Sequence, residues 1–170
     1  MTTAMTILAV AIGGGLGALC RHLAEVAGSF LELPSWIVVL AINVVGSLGI
    51  GVLLVWLEVR LRRDGQSRLA WHPMRHHLRG HAGVIDIDPS LPPTELARFQ
   101  SRLRIEAGLF MTGLMGGLTT MSTFALDVVE LISDGQFTQA AASIGLSLIL
   151  TVLAVLVGLE CGRRLFVVQR

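Results

Sequence analysis

The chain is short of charge. Only 15% of its 170 residues are Asp, Glu, Lys or Arg and 53% are hydrophobic, where a soluble domain carries about a quarter charged residues. Lysine and tyrosine are absent, so all 13 basic residues are arginine. The two cysteines, Cys20 and Cys161, give neither a disulfide framework nor a metal-ligand spacing. There is no nucleophile–base pair, metal-ligand motif or phosphate-binding loop to support an enzyme, and no nucleic-acid partner is expected. Charge is missing altogether from four stretches: Met1 to Cys20, Trp36 to Leu57, Ala107 to Leu126 and Phe137 to Leu159. Each is long enough to cross a hydrocarbon core about 30 Å thick as a helix rising about 1.5 Å per residue. The chain therefore reads as an all-α integral membrane protein. It forms a single four-helix domain with spans at about 3–28, 36–58, 105–132 and 137–162. The first stretch lacks the basic flank of a signal peptide and is followed by further membrane-length segments, so it is read as a span.

What charge there is sits on one side. With four spans, the N-terminus, the segment 60–104 and the C-terminus share a side, which holds 12 of the 13 arginines. The other side has at most Arg21, and Asp127, Glu130 and Asp134 fall near the turn between spans three and four. The positive-inside rule then predicts a multi-pass protein of the cell membrane with both termini cytoplasmic. The 60–104 insert is rich in arginine and histidine and holds four of the five prolines. Thr94 to Phe99 reads as a capped helix start after Pro92 and Pro93. His72, His76, His77 and His81 lie close in sequence, but Pro73 and Gly80 break the helix that would align them on a metal. Trp71 reads as an interfacial anchor touching membrane lipid.

Within the spans, Gly113-Leu-Met-Gly-Gly-Leu-Thr-Thr-Met-Ser-Thr-Phe124 stands out. Paired glycines disfavour helix by about 1 kcal/mol each, and the hydroxyls that follow can bond backbone groups released by a break. The third helix is expected to be broken at Gly116–Thr120. Freed carbonyls there suit a hard cation, and freed N–H groups or hydroxyls suit an anion; the plainer alternative is a kinked structural helix. Asn43, in span two, is either a neutral donor to a small anion or glue between helices. Ser143, Ser147 and Thr151 share one stripe of span four. Gly13 with Gly17, and Gly113 with Gly117, have the spacing of close helix contacts. Arg21 either draws anions to a pore mouth or snorkels to the interface.

Together these segments resemble the Fluc (CrcB-type) fluoride channel family. The matching pieces are Gly13-Gly-Gly-x-Gly-Ala…Arg21, Asn43-x-x-Gly46 and Gly116-Gly-Leu-Thr-Thr-x-Ser-Thr-Phe124, and the resemblance spares only the insert. It implies a passive fluoride-selective channel that lowers cytoplasmic fluoride, built as an antiparallel dimer with a structural, non-transported sodium ion (Na+) at its centre. Carried over by position, the carbonyls of Gly116 and Thr119 would hold the sodium. Asn43, Phe124, Ser122, Thr123 and Ser147 would line the fluoride path, with Arg21 at the vestibule. Met121 departs from the pattern, standing where the family usually has a phenylalanine. Ser143 stands where many members have tyrosine or asparagine, and the 60–104 insert exceeds the usual connector.

An antiparallel homodimer needs a chain that inserts both ways about equally, and 12 arginines against one is far from balanced. The expectation is a chain inserted one way that pairs with an oppositely oriented paralogue as a heterodimer. Two alternatives stay open. One is a non-conducting or regulatory subunit or scaffold in which Met121 marks a degenerate pore. The other is a small coupled exporter, which would need an ionisable residue in the membrane that the uncharged runs lack.

Overall fold

The computed structural model describes residues 2–63, 70–71, 85–86 and 101–166. Helix α1 (Thr2–Phe30) and helix α2 (Ser35–Arg63) form the first pair. The third span, Ser101–Ser133, is two helices, α3 over 101–118 and α4 (Met121–Ser133), and α5 (Phe137–Phe166) closes the bundle. Four spans of 26 to 33 residues are long and apolar enough to cross a membrane. The all-α, four-span expectation is met, and the protein is multi-pass. Between α2 and α3, only a two-residue antiparallel pairing of Ala70–Trp71 with Ile85–Asp86 is described. The helix start expected at 94–99 and the four insert histidines lie outside the described residues.

The break in span three is narrower than the glycines suggested. Gly116–Leu118 stays helical, and only Thr119 and Thr120 leave helical geometry, with ψ of 150° and 124°. Thr119 N–H still reaches the Met115 carbonyl, at 2.9 Å. Gly117 serves packing rather than breaking, since a side chain on it would overlap the carbonyl of Gly14. Above the break, Gly108–Met115 winds as a π-helix, and Gly116 N–H bonds back to Met111. Segments of this kind are rare and concentrate at functional sites.

Lipid tails are as apolar as leucine, so helices in a membrane gain little by burying large side chains against each other and rely on close approach. α1 meets α3 in this way. A Cβ on Gly13 would strike the carbonyl of Leu109, and one on Gly17 the carbonyl of Leu114. Gly113 in turn lies close to the Val10 carbonyl and the Gly13 Cα, and Gly117 against the Gly14 carbonyl, so the two small-xxx-small pairs face each other. α2 and α5 pack through Gly51 and Gly158, each against the other helix's backbone. The buried apolar set is correspondingly small: Ala9, Val38, Val39, Ile42, Val55, Ala140 and Ala154. Leu8, Ile12, Leu19 and Leu23 of α1 and Leu148, Val152 and Leu156 of α5 are at least half exposed, facing lipid or another subunit.

Both short turns end their helices the same way. Leu33 N–H bonds to Gly28 O and Glu32 N–H to Ser29 O, with Glu32 left-handed at φ 54°. Gln136 N–H bonds to Leu131 O and Gly135 N–H to Ile132 O, with Gly135 at φ 73°. These are Schellman caps, which satisfy the last carbonyls of α1 and α4.

Candidate functional site

At the break, two threonines in extended geometry must find partners for backbone groups that the helix no longer serves. Asn43 supplies them from α2. Its Oδ1 accepts Thr120 N–H at 2.9 Å, and its Nδ2 donates to the Thr120 carbonyl at 3.2 Å. The side chain thus acts as one rung of a strand beside the broken helix. A primary amide has two N–H donors, so this two-way contact leaves one hydrogen of Asn43 for another acceptor. Gly46, one turn on, makes room for the Thr119 methyl group, which a Cβ there would overlap. The Asn43-x-x-Gly46 spacing therefore fits one break from two sides.

Thr120 is buried and caps α4: its Oγ1 accepts Thr123 N–H at 3.2 Å. The same hydroxyl lies 3.2 Å from Ser122 Oγ and 3.1 Å from Thr123 Oγ1, so three hydroxyls share one network. Sequence reasoning did not single out Thr120, although its place between the glycines and the serine marks it as the cap of a restarted helix. Two donor diversions follow. In an unbroken helix Thr120 N–H would serve the Gly116 carbonyl, and Thr123 N–H would serve the Thr119 carbonyl. Here those donors go to Asn43 Oδ1 and Thr120 Oγ1. The two expected cation-binding carbonyls are thus the ones whose helical partners are turned away.

The other expected residues are placed around this centre. Met121 points outward, 73% exposed. Ser122 is exposed, and Thr123 and Phe124 are half-buried on the first turn of α4. Ser143 and Ser147 bring buried hydroxyls with no protein partner into the bundle, whereas Thr151 bonds back to the Ser147 carbonyl. Arg21 stands apart, one turn beyond Gly17, in an ion pair with Glu25 at 4.0 Å.

Asp127 differs from its sequence reading as a turn charge. It lies within α4, 6% exposed, with Oδ1 accepting the Ser35 hydroxyl at 2.9 Å and Oδ2 buried without a partner. Its carboxylate sits at the start of α2, where the helix dipole favours negative charge. Spacing carried the signal, since Asp127 follows Thr123 and Phe124 by four and three residues and so shares their face. Chemically, the break offers uncharged donors to an anion and uncharged carbonyls to a cation within a few residues.

The sequence profile described as CrcB-like protein, Camphor Resistance (CrcB), matches residues 8–159. A protein of Ruegeria sp. named fluoride-specific ion channel FluC is 30% identical over 161 residues, covering 94% of this chain and 95% of the relative. Proteins of the same name from Cereibacter sphaeroides and Rhodospirillum centenum are 33% and 32% identical, over 93% and 90% of this chain and 94% and 91% of their own. With four spans, a broken third helix and a match across nearly its whole length, the chain belongs to the CrcB family.

Proposed function

We propose that this chain is a subunit of a passive fluoride-selective channel of the cell membrane, a transport protein and not an enzyme. The observation that carries the reading is the Asn43–Thr120 lock. It holds a broken helix open at membrane depth and leaves a spare amide hydrogen beside three networked hydroxyls. Uncharged donors of this kind meet an anion without the desolvation cost of a buried charge. The N-terminus of α4, about mid-span, adds the positive end of a helix dipole. Fluoride as the ion comes from the relatives named fluoride-specific channels. The path would run past Asn43, Ser122, Thr123 and Phe124 to the spare hydroxyl of Ser147, with Arg21 gathering anions at the vestibule.

Gly116 and Thr119 suit a structural sodium ion, because their carbonyls are hard, neutral oxygens freed of helical donors. A bound cation would supply positive potential at the break and hold the freed carbonyls in place. The residues of one chain give only part of such a shell, in keeping with a dimer in which an antiparallel partner supplies the rest. The 12-to-1 arginine bias supports N-in insertion and an oppositely oriented paralogue as that partner. Buried Asp127 favours a second reading, a coupled exporter, because it is an ionisable group inside a span.

The test is fluoride content in cells lacking their own fluoride exporter. They would express this chain alone or with a copy engineered to insert the other way, its insert arginines changed to glutamine and arginines added at 133–136. The expected result is protection only by the pair, and fluoride efflux from liposomes holding the pair down a fluoride gradient at equal pH on both sides. Efflux that requires a pH difference would favour the exporter, and protection by the chain alone would overturn the heterodimer.

A further inference from the structure

The arginine-rich end of the bundle carries a feature apart from the break. Between α2 and α3 lies a shallow surface groove, enclosing only about 10 Å³ and otherwise open to the surroundings, lined by Leu53, Trp56, Leu57, Ala107, Phe110 and Met111, with Glu106 at its rim. The rings of Trp56 and Phe110 meet edge to face, with centroids 5.9 Å apart. Arg60 closes the head of the groove. Its guanidinium lies 5.2 Å from the centroid of the Trp56 ring and pairs with Glu106 at 3.0 Å, yet its side chain stays 45% exposed. Arg102 and Arg104, exposed on the first turns of α3, add positive charge at the same end.

We infer that this groove binds an anionic phospholipid of the leaflet on the arginine-rich side, its phosphate at Arg60 and an acyl chain along the lining. Four observations lead there. Leu53 precedes Arg60 by seven residues, so the lining descends roughly 10 Å below the guanidinium toward the membrane centre. An apolar slot beneath a cation at that spacing matches the join of headgroup and chain in a lipid. Apart from Glu106 at the rim and the single indole N–H of Trp56, the lining side chains are apolar, and hydrocarbon needs no polar partner, whereas a peptide backbone would require partners throughout. Finally, the aromatic face and Glu106 fix the guanidinium, which has five N–H donors and so keeps several for phosphate oxygens. Arg102 and Arg104 offset the rim carboxylate and leave the site net positive.

The test is native mass spectrometry of the purified full-length chain, titrated with phosphatidylglycerol or phosphatidylcholine of identical acyl chains. One arginine near an anionic surface supports about a fivefold preference for phosphatidylglycerol. That preference is expected in the wild type and in Arg163→Gln, which removes an arginine of the same side outside the groove. It is expected to disappear in Arg60→Gln. Leu53→Trp, which fills the slot but keeps every charge, should weaken both lipids and decides the matter if Arg60→Gln does not fold. Inorganic phosphate should not displace the lipid. Equal binding of the two lipids by wild type would overturn the inference, as would an undiminished preference in Arg60→Gln, undiminished binding of both lipids by a Leu53→Trp variant of unchanged oligomeric state, or displacement by phosphate alone. A Leu53→Trp variant that binds lipid normally but changes oligomeric state would instead identify the groove as a protein interface.

Discussion

At the scale of single residues, Asn43 joins the two halves of span three, and its two bonds to Thr120 carry a definite expectation. Asn43→Ala should cost about 2 kcal/mol, since two hydrogen bonds go and a buried strand-like backbone is left unpaired. Reversible unfolding in mixed micelles measures this, and a loss under 0.5 kcal/mol would contradict the lock. Met121 presents the opposite case. Its side chain is 73% exposed within the subunit, so Met121→Phe should leave stability within about 0.5 kcal/mol while raising fluoride flux. Unchanged flux in the stable variant would remove Met121 from the path. The residues around the break were legible in the sequence because glycine, asparagine and hydroxyls are conspicuous among leucines. The direction of their bonds was not, since an asparagine offered to an anion and one bonded to a backbone are the same letter. Thr120 was not singled out within the expected break, and Asp127 was read as a turn charge, for a related reason. A cap and a buried carboxylate are defined by what lies across from them, here Thr123 N–H and the Ser35 hydroxyl.

At the scale of elements, four uncharged runs translated directly into four helical spans, because hydrocarbon leaves few other ways to satisfy backbone groups. The glycines carried less than their number implied. Gly116 and Gly117 looked like the break itself, yet both remain helical, and the interruption falls on the two threonines after Leu118. Which glycines are packing residues emerges only from contacts. Gly13→Ala should destabilise by about 1–3 kcal/mol, because the Leu109 carbonyl cannot yield. Gly15→Ala, with open space around its Cβ, should be neutral or slightly stabilising within this subunit. Equal effects in the same micelle assay would refute the α1–α3 contact. The turns give a second element-scale test. Gly135 announces its Schellman cap in the sequence, whereas Glu32 adopts the same left-handed geometry without announcing it. Replacing Glu32 with glycine should therefore stabilise the chain by about 1 kcal/mol, and no gain would argue against that cap.

At the scale of the whole molecule, the charge asymmetry predicts a direction of insertion, and the glycine contacts set which helices are neighbours. The α1–α3 and α2–α5 contacts leave broad apolar faces to lipid or to a second subunit. Single-direction insertion is checked with cysteines placed in a background free of Cys20 and Cys161. Ser133→Cys should react with an impermeant maleimide only from outside intact cells, and Arg164→Cys only after lysis. Equal labelling of both sites from outside would show a chain that inserts both ways. Passage of an ion past the break, through neutral donors held by Asn43, is read from electrode-recorded efflux. Liposomes would hold the chain together with its inverted copy and be loaded in parallel with fluoride or chloride. Rapid fluoride efflux, no measurable chloride efflux, and loss of the fluoride signal when Asn43→Ala is introduced into both copies are expected. Chloride leaving as fast as fluoride, or fluoride efflux indifferent to Asn43, would contradict this fluoride path.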